Sequence, residues 1–378
     1  MTGESRLHTW LPGPVDAAAR AAIDRLVATH EVHAVAIMPD AHLAEEVCVG
    51  TVVATRSTLL PAAIGGDIGC GVLALRFDGD ASVLRDERAA ARVLAGLYRT
   101  VPAARQARPQ ALPESLAGAP FAVPRLASVL ERDGRVQFGT LGRGNHFLEL
   151  QEAEDDGRLW GAVHSGSRAL GQAVLDAHLP QTVVTGTGLR SLDASSSEGE
   201  AYLADLALAL AYADANRRAM MATLTALVGS VLGMRPDPGS EIACVHNFVR
   251  RERHLGEELW VHRKGAISAR AGEAGIVPGS MGTPTFHVEG RGCERALCSS
   301  SHGAGRAMTR SQARRRIGVG ELRRQLRGVW YDARRADALR DEAPGAYKDI
   351  GRVMRAQSEL TRIVRRLRPV LSYKGAGP

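Results

Sequence analysis

The chain reads as an α+β protein folded as one composite domain over residues 1–378. Two features of the pattern carry that reading. Short apolar runs of strand length, closed by Gly, Pro, Asn or Asp, recur along most of the chain, as strands bounded by turns do. Between them lie alanine- and leucine-rich stretches of helical length, the longest from Glu198 to Leu232, built from strong helix formers. The chain shows no internal repeat and no Pro/Gly/Ser-rich linker.

In order, Val15 to His30 reads as a helix with Ile23, Leu26 and Val27 on one side. The apolar run His33 to Met38 reads as a buried strand ending at Pro39-Asp40-Ala41-His42. Thr51–Thr55 and Val72–Phe77 are further strands, flanking a turn region from Pro61 to Gly71. From Thr100 to Pro124 the composition turns to Ala, Pro and Gln without a clear period, which predicts a surface insertion. Strand patterns resume at Phe147–Leu150, Leu159–Val163, Leu259–His262 and Thr285–Val288. The Glu198–Leu232 helix allows a break at Gly229 and reads as core. The last third is expected to be helical and arginine-rich, interrupted at Glu342–Lys348.

The composition, 45% hydrophobic and 24% charged, is that of an ordinary globular protein. No run approaches the roughly 18 apolar residues that span a bilayer, and Met1–Trp10 lacks a signal-peptide core. This points away from the membrane and toward the cytoplasm. Cys48, Cys70, Cys244, Cys293 and Cys298 are too widely spaced for a disulfide framework and are expected as thiols, free to ligate metal. The net charge of +7 is uneven. Arginines crowd the C-terminal third at Arg306, Arg310, Arg314–Arg316, Arg323, Arg324, Arg327, Arg334, Arg335, Arg362, Arg365, Arg366 and Arg368. Their planar forks suit phosphates, which predicts a nucleic-acid track beside a phosphate site.

The chemistry sits in glycine-rich turns. Asp67 and Cys70 lie three apart among Gly65, Gly66, Gly69 and Gly71; His146, His164, His246, His262 and His302 each stand at a strand end or turn. Glycine beside a ligand lets backbone approach a metal or phosphate closely. One carboxylate, one thiol and several imidazoles can fill two coordination shells, with a thiolate bridging. By ligand softness the set suits Zn²⁺, and Mn²⁺ or Co²⁺ less obviously.

Read together, these segments resemble the RtcB-type RNA-splicing ligase family. The matching blocks run from Met38–Leu43, Val49–Thr55, Pro61–Gly71, Gly139–Leu150 and His164–Arg168 through Tyr212–Arg217, His246–Val249 and Val261–Ala266. They continue with Val277–Thr283, Ser301–Arg306, Glu342–Ile350 and Tyr373–Gly375, in family order over nearly the whole chain. The resemblance implies mixed β-sheets with surrounding helices around a central dinuclear metal cleft. It also implies a GTP- and Mn²⁺-dependent ligase that joins an RNA 3′-phosphate or 2′,3′-cyclic phosphate to a 5′-hydroxyl, in RNA repair or tRNA splicing.

By that match, His302 is the residue that becomes guanylylated. Asp67, Cys70 and His146 hold one Mn²⁺, and Cys70, His164 and His246 hold the second. Asn145 and Arg168 contact phosphate, Glu149 reads the guanine N1–N2 edge, Lys374 donates to O6, and Tyr347 lines the base pocket. Ser280, Thr285, Gly303, Ala304 and Gly305 complete the nucleotide site, with a helical run after His302 whose first amides would cradle the phosphate. His42, His262 and His287 are read as structural or supporting. The chain departs from the family at Ala44–Cys48, at Arg143 and at Pro284–Phe286, and is shorter than typical members. An RNA 3′-end capping enzyme, a metal-dependent cyclic phosphodiesterase and an RNA-binding paralogue are the competing readings. The sequence itself names no activating protein.

Overall fold

The computed structural model describes residues 6–254 and 256–375. Its centre is a seven-stranded antiparallel sheet, ordered Pro236–Val245, Gly71–Asp80, Arg158–Ser165, Phe147–Ala153, Thr361–Lys374, Thr285–Gly290 and Ala274–Val277. The two outermost strands lie against one another, so the sheet curls. A five-stranded sheet stands beside it, ordered Leu7–Thr9, Val32–His42, Val49–Thr55, Glu257–Lys264 and Asn247–His254. Helices and sheets mix as the sequence predicts.

Alternation along the strands sorts the cores. Leu73, Leu75 and Phe77 share one face of the large sheet with Leu148, Leu150, Leu159 and Val163. That face packs on Met220, Met221, Leu224 and Val228 of the helix Ser197–Leu232 and on the helix Glu87–Thr100. Val72, Ala74, Phe147, Trp160 and Ala162 face the other way, into the curl. The long helix starts at Ser196, whose side chain accepts from Gly199 N, and ends at left-handed Gly233. It runs through Gly229 unbroken, because the Gly229 carbonyl is bonded by the Gly233 amide and the turn closes normally.

Two local expectations are corrected. Thr361–Lys374 is a fourteen-residue strand within the large sheet, not helix. Leu367, Leu371 and Tyr373 are buried in it, while Arg362, Arg365 and Arg368 pair across the sheet with Glu289, Asp155 and Glu152. Cross-strand partners of that kind outweigh a composition that suits helix equally well. The helix beyond His302 begins only at Arg310, capped reciprocally by Thr309 and Gln312, so its amides do not follow the histidine directly. The 100–124 segment has no regular element after Thr100 and lies mostly at the surface; Leu116 and Phe121 anchor it under the long helix, and Asp205 accepts from Ala122 N and Val123 N. No helix among the described residues is long and apolar enough to cross a membrane.

Candidate metal centre and nucleotide pocket

Antiparallel pairing collects the donor residues into one row. Val72 and Phe147 both lie opposite His164, and Gly71 lies opposite Val245. Two strand starts and two strand ends therefore meet at one edge, bringing Cys70, His146, His164 and His246 together. Cys70 Sγ is 3.3 Å from both His146 Nε2 and His164 Nε2. His164 Nε2 is 3.0 Å from His246 Nε2, and His146 Nε2 is 3.2 Å from Asp67 Oδ2. The result is two donor groups sharing one thiol: Asp67, Cys70 and His146, and Cys70, His164 and His246, each within 4.8 Å.

The hydrogen-bond partners set the protonation. Asn247 Oδ1 accepts from Gly265 N at 2.8 Å while its Nδ2 donates to Asp67 O at 2.9 Å, so the amide cannot turn over. Oδ1 then faces His246 Nδ1, at 3.3 Å, which places the proton there and leaves Nε2 bare. Burial, with neighbouring imidazoles adding, pushes His164 and His246 well below the usual range. Burial raises the Cys70 thiol, and the adjacent Asp67 carboxylate reinforces the shift. Burial alone would raise Asp67 as well, but His146 and then Cys70 and His246 bring it down to about 2. Converging lone pairs with too few protons fit a divalent cation in each group. Gly142, at φ 97°, keeps the wall thin: a Cβ there would meet His146 Nδ1 at 2.4 Å.

Beside the donors opens a pocket lined by Asn145, Glu149, Ser280, Thr285, His302, Gly303, Ala304, Gly305, Tyr347 and Lys374. His42 and Arg306 also line it; Arg168 does not, its guanidinium being turned to Thr140 Oγ1 and Ala103 O. Glu149 is buried, accepting from Gln151 Nε2 and Ser372 Oγ at 2.9 Å each; burial raises its carboxyl, and these bonds offset part of the rise. Lys374 Nζ already contacts Glu342 and the Asn145 carbonyl, which leaves one ammonium donor for a ligand. His262 stands apart in the core, taking the Leu60 amide, and His287 is buried against Trp160.

Sequence reasoning passed over several residues here. Asp40, fully buried at the end of Val32–His42, places Oδ2 2.7 Å from His302 Nδ1. The signal was present: a charged residue closing an apolar strand needs a partner. Glu342 gathers Arg306, Arg310, Tyr347 and Lys374 at the pocket wall. Asn216 and Arg217, on the helix read as simple core, reach the donor loops: Asn216 takes Gly139 N and Arg217 bonds Gly69 O and Ser165 O. The Ala44–Cys48 loop is anchored: Val47 and Cys48 are buried, and Glu45 Oε2 lies 3.7 Å from Lys264 Nζ.

A shared thiol among bare imidazoles, next to a histidine paired with a buried carboxylate and a pocket lined by Arg306 and Lys374, fits a metal-dependent enzyme of phosphate chemistry. The family model described as tRNA-splicing ligase RtcB matches residues 23–119 and 119–375. The chain belongs to this RtcB family. The RNA-splicing ligase RtcB of Escherichia coli K12 is 36% identical over 99% of this chain and 98% of its own length. The RNA-splicing ligase RtcB of Mycobacterium tuberculosis is 30% identical, over 89% of this chain and 96% of its own. The tRNA-splicing ligase RtcB of Archaeoglobus fulgidus is 32% identical, over 67% of this chain and 62% of its own.

Proposed function

We propose that this chain, an RNA ligase, consumes GTP and joins RNA 3′-phosphate or 2′,3′-cyclic phosphate ends to 5′-hydroxyl ends through His302. The observation that carries the reading is the His302–Asp40 pair: Nδ1 is 2.7 Å from a fully buried carboxylate, and the ring, which lines the pocket, lies tilted against His246 with centroids 4.6 Å apart. A carboxylate at Nδ1 holds the proton there and leaves Nε2 as the nucleophile.

His302 Nε2 forms a bond to the α-phosphorus of GTP, the α–β bridging P–O bond breaks, and pyrophosphate leaves. Asp40 stabilises the imidazolium so formed. An oxygen of the RNA 3′-phosphate then attacks the guanylyl phosphorus and frees His302. The 5′-hydroxyl attacks the activated 3′-phosphorus and expels GMP. A cyclic end must first be opened by water to the 3′-phosphate.

Asp67, Cys70 and His146, and Cys70, His164 and His246, would hold two Mn²⁺ ions, whose chemistry is to polarise phosphoryl oxygens as Lewis acids. Glu149 would accept from guanine N1–H and N2–H₂, and adenine, with an unprotonated N1, would leave that buried carboxylate unpaired. Asn145 and the Gly303–Gly305 turn would meet phosphate, and Lys374 and Tyr347 the base. Exposed Arg143, Arg315, Arg316, Arg323 and Arg327 make no ion pair among the described residues and would meet the RNA backbone.

The test compares end chemistries on a nicked stem-loop with GTP and Mn²⁺. Joining of 3′-phosphate to 5′-hydroxyl, with acid-labile label from GTP that vanishes in His302→Ala, is expected. Joining of a 5′-phosphate to a 3′-hydroxyl would refute the reading, and guanylylated 3′ ends that accumulate unjoined would favour a capping enzyme.

A further inference from the structure

We propose that His254, Glu294 and Cys298 form a second metal site, taking a zinc-like divalent cation and tying down the segment that delivers His302. The site is remote from the centre above. His246 and His254 stand at opposite ends of the strand Asn247–His254, and at about 3.3 Å per residue that separates them by roughly 25 Å.

The donors converge as a metal shell does. His254 Nδ1 is 3.2 Å from Glu294 Oε2, Cys298 Sγ is 3.6 Å from Glu294 Oε1, and all three donor atoms fall within 4.8 Å of one another. The second nitrogen is what makes the cluster informative. His254 Nε2 lies 2.9 Å from Glu252 Oε2. Glu252 is buried and already accepts from Arg263 Nη1 and Nη2, at 2.6 and 3.1 Å. Burial lowers His254, but its hydrogen bonds to Cys298, Glu252 and Glu294 outweigh that and raise it to about 9, so a divalent ion entering between His254 Nδ1, Glu294 and Cys298 would take the place of the Nδ1 proton while Glu252 keeps the proton on Nε2. A carboxylate behind the distal nitrogen is also the usual support of a metal-bound imidazole.

Sulfur, nitrogen and oxygen donors together suit Zn²⁺ on softness, and three protein ligands leave a fourth position for water. Glu294 supplies the solvent side, its side chain 56% exposed, while His254 and Cys298 are buried. The charges of a dication are offset by the Glu294 carboxylate and the Cys298 thiolate. Position gives the site its consequence. Cys298 opens directly into the strand Ser299–Ser301, which His302 follows. Leu297 and Cys298 both adopt left-handed backbone, at φ 50° and 44°, and an ion on Cys298 would hold that turn in place.

Full-length protein, stripped with chelator and dialysed against Zn²⁺, decides the matter by elemental analysis. The unsubstituted chain is expected to retain one ion more per chain than Glu294→Gln or Cys298→Ser, and Cys70→Ala is expected to keep that ion. Zn²⁺ should also raise the Tm of Cys70→Ala, and this rise should disappear when Glu294→Gln is added. Equal stoichiometry in the unsubstituted, Glu294→Gln and Cys298→Ser proteins would overturn the proposal and leave a protonated His254 between two carboxylates. Loss of the ion from Cys70→Ala would overturn its independence. If Cys298→Ser fails to fold, the exposed Glu294→Gln still gives the answer.

Discussion

A nucleophilic imidazole is only as good as the group behind it. Asp40 Oδ2 lies at ion-pair distance, 2.7 Å, from His302 Nδ1, its oxygens have no hydrogen-bond partner among the described residues, and its charge also acts on His42 and Lys348. Asp40→Asn should slow labelling by GTP by up to roughly 10⁴-fold, the loss seen when the orienting carboxylate of a catalytic triad is neutralised, with metal content unchanged. Single-turnover labelling measures this, and an unaltered rate would remove Asp40 from the reaction. Gly305 guards the same contact: at φ 71° its Cβ would sit 2.2 Å from the Asp40 carbonyl, so Gly305→Ala should impair labelling in the same direction. Cys70 is the one donor common to both groups. Cys70→Ala should therefore empty both, whereas removing a single histidine should spare the other group. A Cys70→Ala protein holding two tightly bound ions at the centre would refute the bridging role.

Among elements, the helix Ser197–Leu232 does more than fill core. Arg217, buried, donates to Gly69 O at 2.6 Å and Ser165 O at 2.9 Å, tying the Cys70 turn to the end of the His164 strand. Replacing it by methionine leaves two buried carbonyls without their charged donor, a loss of about 3–6 kcal/mol at 1.5–3 for each such bond. Arg217→Met is thus expected to lower Tm by many degrees and to weaken metal retention. The neighbouring Arg218, half-exposed and paired with Asp214 and Glu241, should tolerate the same change with a cost below about 1 kcal/mol. Thermal melts with parallel elemental analysis compare the two, and equal effects would show that helix packing, not the clamp, matters.

For the whole molecule, two buried histidines set an acid limit. Burial brings His262 down to about 4, against its backbone hydrogen bonds, and His287 down to about 3, with Arg365 adding to the effect. Both lie below the ordinary value of 6.5, so in acid the unfolded chain binds protons that the folded chain refuses. Stability is therefore complete above pH 6.5 and falls as pH drops toward 4, by roughly 3 kcal/mol from His262 alone at 1.36 kcal/mol per unit. Denaturant melts across that window should show the loss, and His262→Gln should flatten part of it. The net charge of +7 acts at the same scale. RNA affinity should fall steeply with salt, in proportion to the phosphates neutralised. The slope should be shallower for Arg315→Ala/Arg316→Ala than for Arg362→Ala/Arg365→Ala, because the latter pair is already spent on Glu289 and Asp155.

The sequence by itself determined the class of fold, the family, and the candidate residues for the chemistry, because glycine turns, strand alternation and ordered motif blocks are local properties of the chain. Asp67 and Cys70 could be read as one site, since three residues in a glycine turn place them together whatever the fold. Only the tertiary structure decided that Cys70, His146, His164 and His246 share one edge, because that depends on the register of four strands far apart in sequence. The same holds for Asp40 behind His302, for Arg217 reaching across to Gly69 and Ser165, and for arginines of the last strand that pair with carboxylates at the surface. Each is a contact between residues many positions apart, and composition or local period carries no term for the partner across the gap.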